Sequence, residues 1–483
     1  MEVLLELFMS CMLLFRLFLW AHTHRNRKYN SIASSVCYWF VAGSLAELSS
    51  AIPTSGGGEI SYRITKSNTT ADDSDAVYHW ASITAGRYGR VCGWFAGWWN
   101  LFAWILGAAS TTQIVASVLV SMYELFHDNF HEQRYQVFVT YIILTWLTCL
   151  LVAFANRLLP PLEAVGAFLT VAGFVVTVAV CAIMPRVRGQ GYATDAFVWR
   201  DWQNQTGWRS NGFVFCAGML NAAFACGTPD LITHAGQETT QPSRNIPLAI
   251  LVQFVVGFVT GVCYMIAIFY GISDLDAVID GPYGFFPLTE IYRQVTGSAG
   301  GALGILIVSL IPLTIGILGV YVTASRLLWA LACDGATPFS GLLSRVSPTH
   351  KNPFNSILLC GLISTVLGCI YMGNTTAFSA FVGSFVVLST LSYLAAILPH
   401  MCTRRSTLQP GWFWMKGIVG YVVNGVASLY IMAFVVIFCF PAAMPVDAES
   451  MNYTCLITGG VSLFAAAFWF WRRKEYRGPM GTD

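Results

Sequence analysis

Eleven apolar segments, each long enough to cross about 30 Å of hydrocarbon, divide this chain along its length. Lipid offers the backbone no hydrogen-bond partners, so segments of this length must be helical. Charged residues make up 10% of the chain, against about 25% in soluble domains. The sequence therefore predicts an all-α integral membrane protein. The segments run approximately over residues 31–51, 92–122, 135–155, 162–184, 211–232, 246–272, 299–329, 354–372, 377–398, 417–440 and 453–471.

The fifth segment is interrupted near its end by the sequence Gly227-Thr228-Pro229-Asp230. Proline lacks an N–H and breaks a regular helix. Backbone groups freed at membrane depth are tolerated only where they line a cavity or are buried in protein. Because broken helices of this kind form the binding sites of transporters, the interruption predicts a solute permease.

Basic residues predict which side of the membrane each loop faces. If the tail after residue 471 is cytoplasmic, 16 basic residues lie on the inner side and 6 lie in outer loops. Glycosylation sequons at Asn204, Asn374 and Asn452 then lie outside, and one at Asn68 lies inside. The basic residues that precede the first segment do not fit this assignment, because they would lie outside.

A twelfth apolar stretch, residues 3–21, contains Glu6 and Arg16, which are costly at membrane depth. Its status as a first helix is therefore open. The chain is divided into three regions: residues 1–30 as an atypical or truncated N-terminal segment, residues 31–475 as a transmembrane domain, and residues 476–483 as a cytoplasmic tail.

Three motifs occur in order along the chain. Residues 46–57 read Ala-Glu-Leu-Ser-Ser-Ala-Ile-Pro-Thr-Ser-Gly-Gly. The second motif, within residues 227–247, consists of Gly-Thr-Pro-Asp, then His234 and Glu238, then Pro-Ser-Arg-Asn-Ile-Pro. The third motif, within residues 324–353, contains in order Ala-Ser-Arg, Trp-Ala, Asp-Gly, Pro-Phe and Asn-Pro. Together with the hydropathy, they resemble the fungal amino-acid/choline permeases of the amino acid–polyamine–organocation superfamily over residues 31–475.

The resemblance implies about 12 transmembrane helices, arranged as two inverted five-helix repeats plus two helices. In that fold the first and sixth helices are unwound at the bilayer midplane. If residues 3–21 are the first helix, the break at Gly227 falls in the sixth. The stretch 3–21 departs from the family because it contains neither glycine nor proline, and a truncated N-terminus is our preferred explanation.

The break supplies the candidate substrate-binding residues, which are Ala223, Phe224, Ala225, Cys226 and Gly227. An unwound segment offers backbone dipoles to a zwitterion or a cation, and the Phe224 ring can stack on a quaternary ammonium. An ordinary kinked helix is the alternative. Asp230 has two interpretations: it binds a coupling proton or a substrate amine, or it caps the helix that follows.

Trp104 is a further candidate, because in the implied fold its helix faces the substrate pathway. Glu47 and Arg326 lie near the cytoplasmic ends of their helices, where an ion pair would close an inner gate; snorkelling to the interface is the alternative. His127 and His131 have a chelating spacing but lack the glutamate placement of a metalloprotease. No metal or other cofactor is predicted.

The favoured function is secondary active transport of a small nitrogenous solute, such as an amino acid, choline, γ-aminobutyrate (GABA) or a polyamine, by alternating access. Resemblance to fungal permeases implies a proton as the coupling ion. A transport-incompetent isoform or nutrient receptor, and a membrane-embedded metalloenzyme, are the alternatives.

The partners would be the solute and membrane lipid, since a net charge of +2 gives no support for nucleic acid. The plasma membrane is the expected location, with the vacuole or another endomembrane as the alternative.

Overall fold

The structure, a computed structural model, is entirely helical in its regular secondary structure over the residues that it describes. The predicted stretch 3–21 lies outside these residues. The described ranges are 27–53, 76–127, 129–130, 133–200, 204, 206–234, 240–279, 286–347, 350, 352–373, 376–441, 443–447, 451–476 and 478–479.

Sixteen α-helices occupy the described ranges. They are α1 Arg27–Ala51, α2 Ala76–Thr84, α3 Gly89–Glu124, α4 Arg134–Phe154, α5 Leu159–Val187, α6 Asn211–Cys226, α7 Leu231–His234, α8 Pro242–Gly271, α9 Leu275–Ile279, α10 Leu288–Thr296, α11 Ala299–Cys333, α12 Ser340–Leu343, α13 Phe354–Gly373, α14 Thr376–Cys402, α15 Ile418–Ile437 and α16 Thr454–Arg472.

Within the described part of the chain, eleven helical spans are long and apolar enough to cross a membrane. Each coincides with one of the predicted apolar segments, and α6 and α7 together form the span that is interrupted. The prediction of a multi-pass helical membrane protein is confirmed.

Helix α3 lies at the centre of the bundle, where it packs against α14 and α11. Small residues allow this close packing. A Cβ on Gly107 would lie 2.9 Å from the Phe385 ring on α14, and a Cβ on Gly97 would lie 2.7 Å from Leu331 on α11. Since helices in lipid associate through van der Waals packing, such contacts fix α3 against its neighbours.

The interrupted helix lies between two groups of helices. Helix α1 packs against α6, α8 and α15 on one side, while α14, itself packed on α3, contacts α6 on the other. The break between α6 and α7 is therefore surrounded by protein, as unwound backbone at membrane depth requires.

The loops gather on two opposite faces of the bundle. On the face predicted to be cytoplasmic, here called the basic face, the Ser243 hydroxyl donates to the Ser50 carbonyl at 2.7 Å. On the opposite, outer face, the Trp208 indole donates to the Pro441 carbonyl at 3.3 Å. Each contact joins two connections that the sequence analysis predicts to lie on the same side of the membrane.

The chain after α16 folds back onto the basic face. Tyr476 is buried, and its hydroxyl lies 2.8 Å from that of Tyr78, which donates to Asp334 Oδ2 at 2.9 Å. Burial raises the pKa of both tyrosine hydroxyls above their ordinary value, so both stay protonated at physiological pH. Arg90 Nη2 also donates to the Arg473 carbonyl at 2.7 Å. The start of the predicted tail is thus anchored to α2 and α3 and to the residue that follows α11.

Candidate functional site

The predicted interruption of the fifth segment is present in the structure. Helix α6 ends at Cys226, and helical structure resumes at Leu231. Pro229 has no N–H to continue the helical bonding. Gly227 fits because a Cβ at this position would lie 2.6 Å from the Ala223 carbonyl oxygen. The local sequence therefore favours the break over a continuous helix.

Side chains from two other helices bond the carbonyl groups that the break exposes. The Tyr393 hydroxyl on α14 donates to the Gly227 carbonyl at 3.2 Å. The Gln253 amide on α8 donates to the Thr228 carbonyl at 3.3 Å. These bonds offset the cost of unpaired carbonyls in a low-dielectric region and connect the break to α14 and α8.

The Asp230 carboxylate, at the end of the break, is fully buried and accepts hydrogen bonds from α3 and α14. Its Oδ2 accepts from the Asn100 amide at 3.3 Å and from the Trp104 indole at 3.2 Å. Its Oδ1 accepts from the Tyr393 hydroxyl at 2.5 Å. Asp230 is therefore linked to both helices that pack on this side of the break.

Three of the side chains that contact Asp230 are an amide, an indole and a phenol, and these three are neutral. A buried carboxylate that is ionised loses solvation energy, which neutral hydrogen bonds offset only partly. Binding of a proton or of a cationic solute next to Asp230 would remove or balance this charge. The arrangement thus suits a site at which a cation binds and is released.

Aromatic rings enclose the same region. The Phe385 ring lies 5.1 Å from that of Phe224 and 5.9 Å from that of Trp104, both in edge-to-face arrangements. All three side chains are buried. These three described side chains are thus shielded from solvent.

The structure brings the predicted substrate-binding residues together at one place. Ala223, Phe224 and Ala225 are buried in the last turn of α6. The Cys226 sulfur lies 3.3 Å from the Ser35 hydroxyl on α1. The Trp104 indole on α3 donates a hydrogen bond to Asp230, the last residue of the break. Contact of these residues with a solute stays a prediction.

Comparison with known proteins identifies the kind of molecule that carries this break. Residues 29–461 match the family described as amino acid permease. The chain belongs to the amino acid permease family. The match spans most of the helical bundle, including the break, so this permease is a solute transporter and an integral, multi-pass membrane protein.

Similar curated proteins share nearly the whole length of the permease. The chain is 30% identical over 449 residues to a choline transporter of Saccharomyces cerevisiae, covering 91% of this chain and 73% of that protein. It is 25% identical over 480 residues to the amino-acid permease BAT1 of Arabidopsis thaliana, covering 94% and 88%. An uncharacterized amino-acid permease of Schizosaccharomyces pombe is 25% identical over 445 residues, covering 92% and 74%.

Sequence reasoning missed several residues at the break, among them Asn100, Gln253, Phe385 and Tyr393. For Asn100 a signal existed, because it precedes Trp104 by four residues and therefore lies on the same face of α3. For Phe385 and Tyr393 no local signal existed, because they lie in an apolar segment that is distant in sequence from the break.

The ion pair of the permease on the basic face differs from the predicted one. The Glu47 carboxylate pairs with Arg405, between α14 and α15, and not with Arg326. The Asn424 amide donates to Glu47 Oε2 at 3.2 Å, and the Arg405 guanidinium lies 4.4 Å from the centre of the Trp414 ring. Both charged side chains are nearly fully buried. The predicted pairing with Arg326 is not found, because no local feature of the sequence indicates which distant cation meets Glu47.

Several predicted residues lie away from the break or outside the described ranges. The Asn204 amide donates to the Trp208 carbonyl at 2.8 Å, and the Asn452 amide donates to the Phe438 carbonyl at 2.7 Å. Their glycosylation stays a prediction. His127 stacks on Tyr123 with ring centres 4.0 Å apart. Asn68, Asn374, Glu238 and His131 are outside the described residues.

Proposed function

We propose that this permease carries choline, or a small amine of similar chemistry, across the membrane together with a proton. The observation that carries the proposal is the buried Asp230 carboxylate next to aromatic rings at a broken transmembrane helix. The carboxylate supplies a place for the proton, and the rings supply a surface for a cationic nitrogen.

The rings of Phe224, Trp104 and Phe385 account for recognition of the amine. Aromatic faces attract a quaternary ammonium through cation–π interactions worth about 0.5–2 kcal/mol each. A methylated ammonium donates no N–H hydrogen bonds, so apolar rings suit it better than a fixed set of acceptors. The similarity to a protein named a choline transporter supports the same substrate class.

Asp230 accounts for proton coupling. Asp230 is fully buried, and a buried carboxylate loses solvation energy when it is charged, so protonation relieves this cost. Protonation also weakens the bond from Tyr393, which donates both to Asp230 and to the Gly227 carbonyl. The protonation state of one carboxylate is thereby connected to the geometry of the broken helix.

The Glu47–Arg405 ion pair serves as the inner gate in this proposal. It joins α1 to the connection between α14 and α15 on the basic face. Helices α1 and α14 both contact α6, and they also contact each other. Separation of the pair would let these two helices move apart, and alternating access requires such an opening on one side at a time.

The experiment is uptake of labelled choline, amino acids, γ-aminobutyrate and polyamines by permease-deficient yeast that express the chain, at acid and neutral pH. Surface labelling would confirm that the protein reaches the plasma membrane, the location we propose. We expect choline uptake that is faster at acid pH. In Asp230→Asn, the side chain cannot titrate, so uptake should not vary with pH.

Asp195→Asn is the matched control, because Asp195 is an exposed carboxylate in a connection on the outer face. This variant should keep the acid stimulation of the wild type. An unchanged pH profile in Asp230→Asn would remove Asp230 from proton coupling. Uptake of an amino acid and not of choline would instead favour the second candidate substrate class, which the two relatives named amino-acid permeases support.

A further inference from the structure

The Tyr38 hydroxyl lies next to the break, close to Gly227. Tyr38 lies on α1, is fully buried, and its hydroxyl forms no hydrogen bond to the described residues. The hydroxyl lies 3.4 Å from the position that a Cβ on Gly227 would occupy. The donors to Asp230 come from α3 and α14, so Tyr38 belongs to a different wall of the same region.

Two more hydroxyl groups line this wall. Ser34 lies one helical turn before Tyr38 on α1 and is fully buried. Its hydroxyl faces that of Tyr430 on α15, but the two do not form a hydrogen bond of standard geometry. The Tyr38 and Tyr430 rings meet edge to face with centres 5.8 Å apart. Ser34, Tyr38 and Tyr430 therefore form a polar cluster, here called the α1 cluster, beside the break.

Buried hydroxyl groups in proteins are almost always hydrogen-bonded, and each one that is not destabilises the fold. Ser34 and Tyr430 face each other, but the Tyr38 hydroxyl has no hydrogen bond to the described residues and lies beside the proposed substrate site, which leaves room for a partner outside the described part of the chain. A solute bound at the break would be that partner for Tyr38, the member of the cluster that lies against Gly227.

We propose that the Tyr38 hydroxyl hydrogen-bonds an oxygen of the transported solute, while the cationic nitrogen of the solute faces the rings of Phe224 and Trp104. Tyr38 then determines specificity for a small amine that also carries an oxygen, such as an amino alcohol. The inference rests on the proposed function and deepens it.

The test is a cycle of two ligands and two proteins. The ligands are choline and ethyltrimethylammonium, which keeps the trimethylammonium group and the two-carbon chain but lacks the hydroxyl group. The proteins are the wild type and Tyr38→Phe. We expect the wild type to bind choline about tenfold more tightly than ethyltrimethylammonium, measured as the KM for choline uptake and the inhibition constant of the analogue. In Tyr38→Phe, the affinity for choline should fall about tenfold, while the affinity for the analogue should not change. The preference for choline then disappears.

Tyr321→Phe is the matched control. Tyr321 is also fully buried, but it lies on α11 beside Thr145 and Ser364. This variant should keep the preference for choline. If Tyr38→Phe weakens both ligands equally, the role of Tyr38 is structural and the inference is overturned. If the wild type takes up choline without preferring it to the analogue, the inference also fails and the proposed function survives. Absence of choline uptake by the wild type would overturn both.

Discussion

The Tyr393 hydroxyl and the Asp230 carboxylate lie 2.5 Å apart and connect α14 to the interrupted helix. The same hydroxyl lies 3.2 Å from the Gly227 carbonyl, at the other end of the break. One phenol thus bridges the first and last residues of the unwound segment. A change in charge at Asp230 therefore alters a contact that also holds the end of α6.

Tyr393→Phe should reduce choline uptake about tenfold. The variant removes the hydroxyl that connects α14 to Asp230 and to the Gly227 carbonyl, and a hydrogen bond to a charged group is worth about 1.5–3 kcal/mol. The measurement is the initial rate of choline uptake at equal amounts of each protein at the cell surface.

Tyr141→Phe is the control for this variant, since Tyr141 is a buried tyrosine on α4 that donates to the Ser364 carbonyl at 2.6 Å. It should keep the wild-type rate of choline uptake. A Tyr393→Phe variant that takes up choline as fast as the wild type would contradict a bridging role for this hydroxyl.

Gly227→Ala should abolish uptake while the protein still reaches the membrane. The added Cβ would lie 2.6 Å from the Ala223 carbonyl, a contact that real structures do not tolerate, so the break must shift. Gly212→Ala on the same helix is the control, because its Cβ would meet only the Ser210 hydroxyl, at 3.9 Å. Equal uptake by the two variants would show that the geometry at residue 227 is unimportant.

Glu47→Gln should destabilise the detergent-solubilised protein by about 3–5 kcal/mol, because it leaves the buried Arg405 guanidinium without its counter-charge. The comparison is Glu475→Gln, which removes the partner of Arg472. The Glu475 side chain is 63% exposed, so its loss should cost at most about 1 kcal/mol. The thermal unfolding temperatures of the two variants measure this difference, and equal temperatures would argue against a buried gate.

Tyr476→Ala should lower the stability of the permease by about 3 kcal/mol or more, the usual cost of truncating a large buried aromatic side chain. Tyr476 packs on Trp94, with ring centres 5.0 Å apart, and bonds to Tyr78. Tyr135→Ala, at an exposed tyrosine, is the control and should change stability little. Unfolding temperatures of the purified variants would show whether the tail is part of the folded domain.

The sequence predicted the spans and the break well because both depend on local composition. A long apolar segment must be a helix in lipid, and Gly227 and Pro229 interrupt that helix whatever surrounds it. Contacts between distant helices follow no local rule. The partner of Glu47 could not be chosen from several basic residues, and Tyr393 and Tyr38 have no feature that separates them from other tyrosines of apolar segments.

The anchoring of Tyr476 also sets an order in time for the synthesis of this protein. Tyr78 emerges from the ribosome 398 residues before the tyrosine that contacts it. At about 5–20 residues per second, translation of that interval takes about 20–80 s. During this time the surface of α2 that later receives Tyr476 stays uncovered. The contact therefore forms only on chains in which α16 has been made, and it distinguishes them from chains that end before this helix.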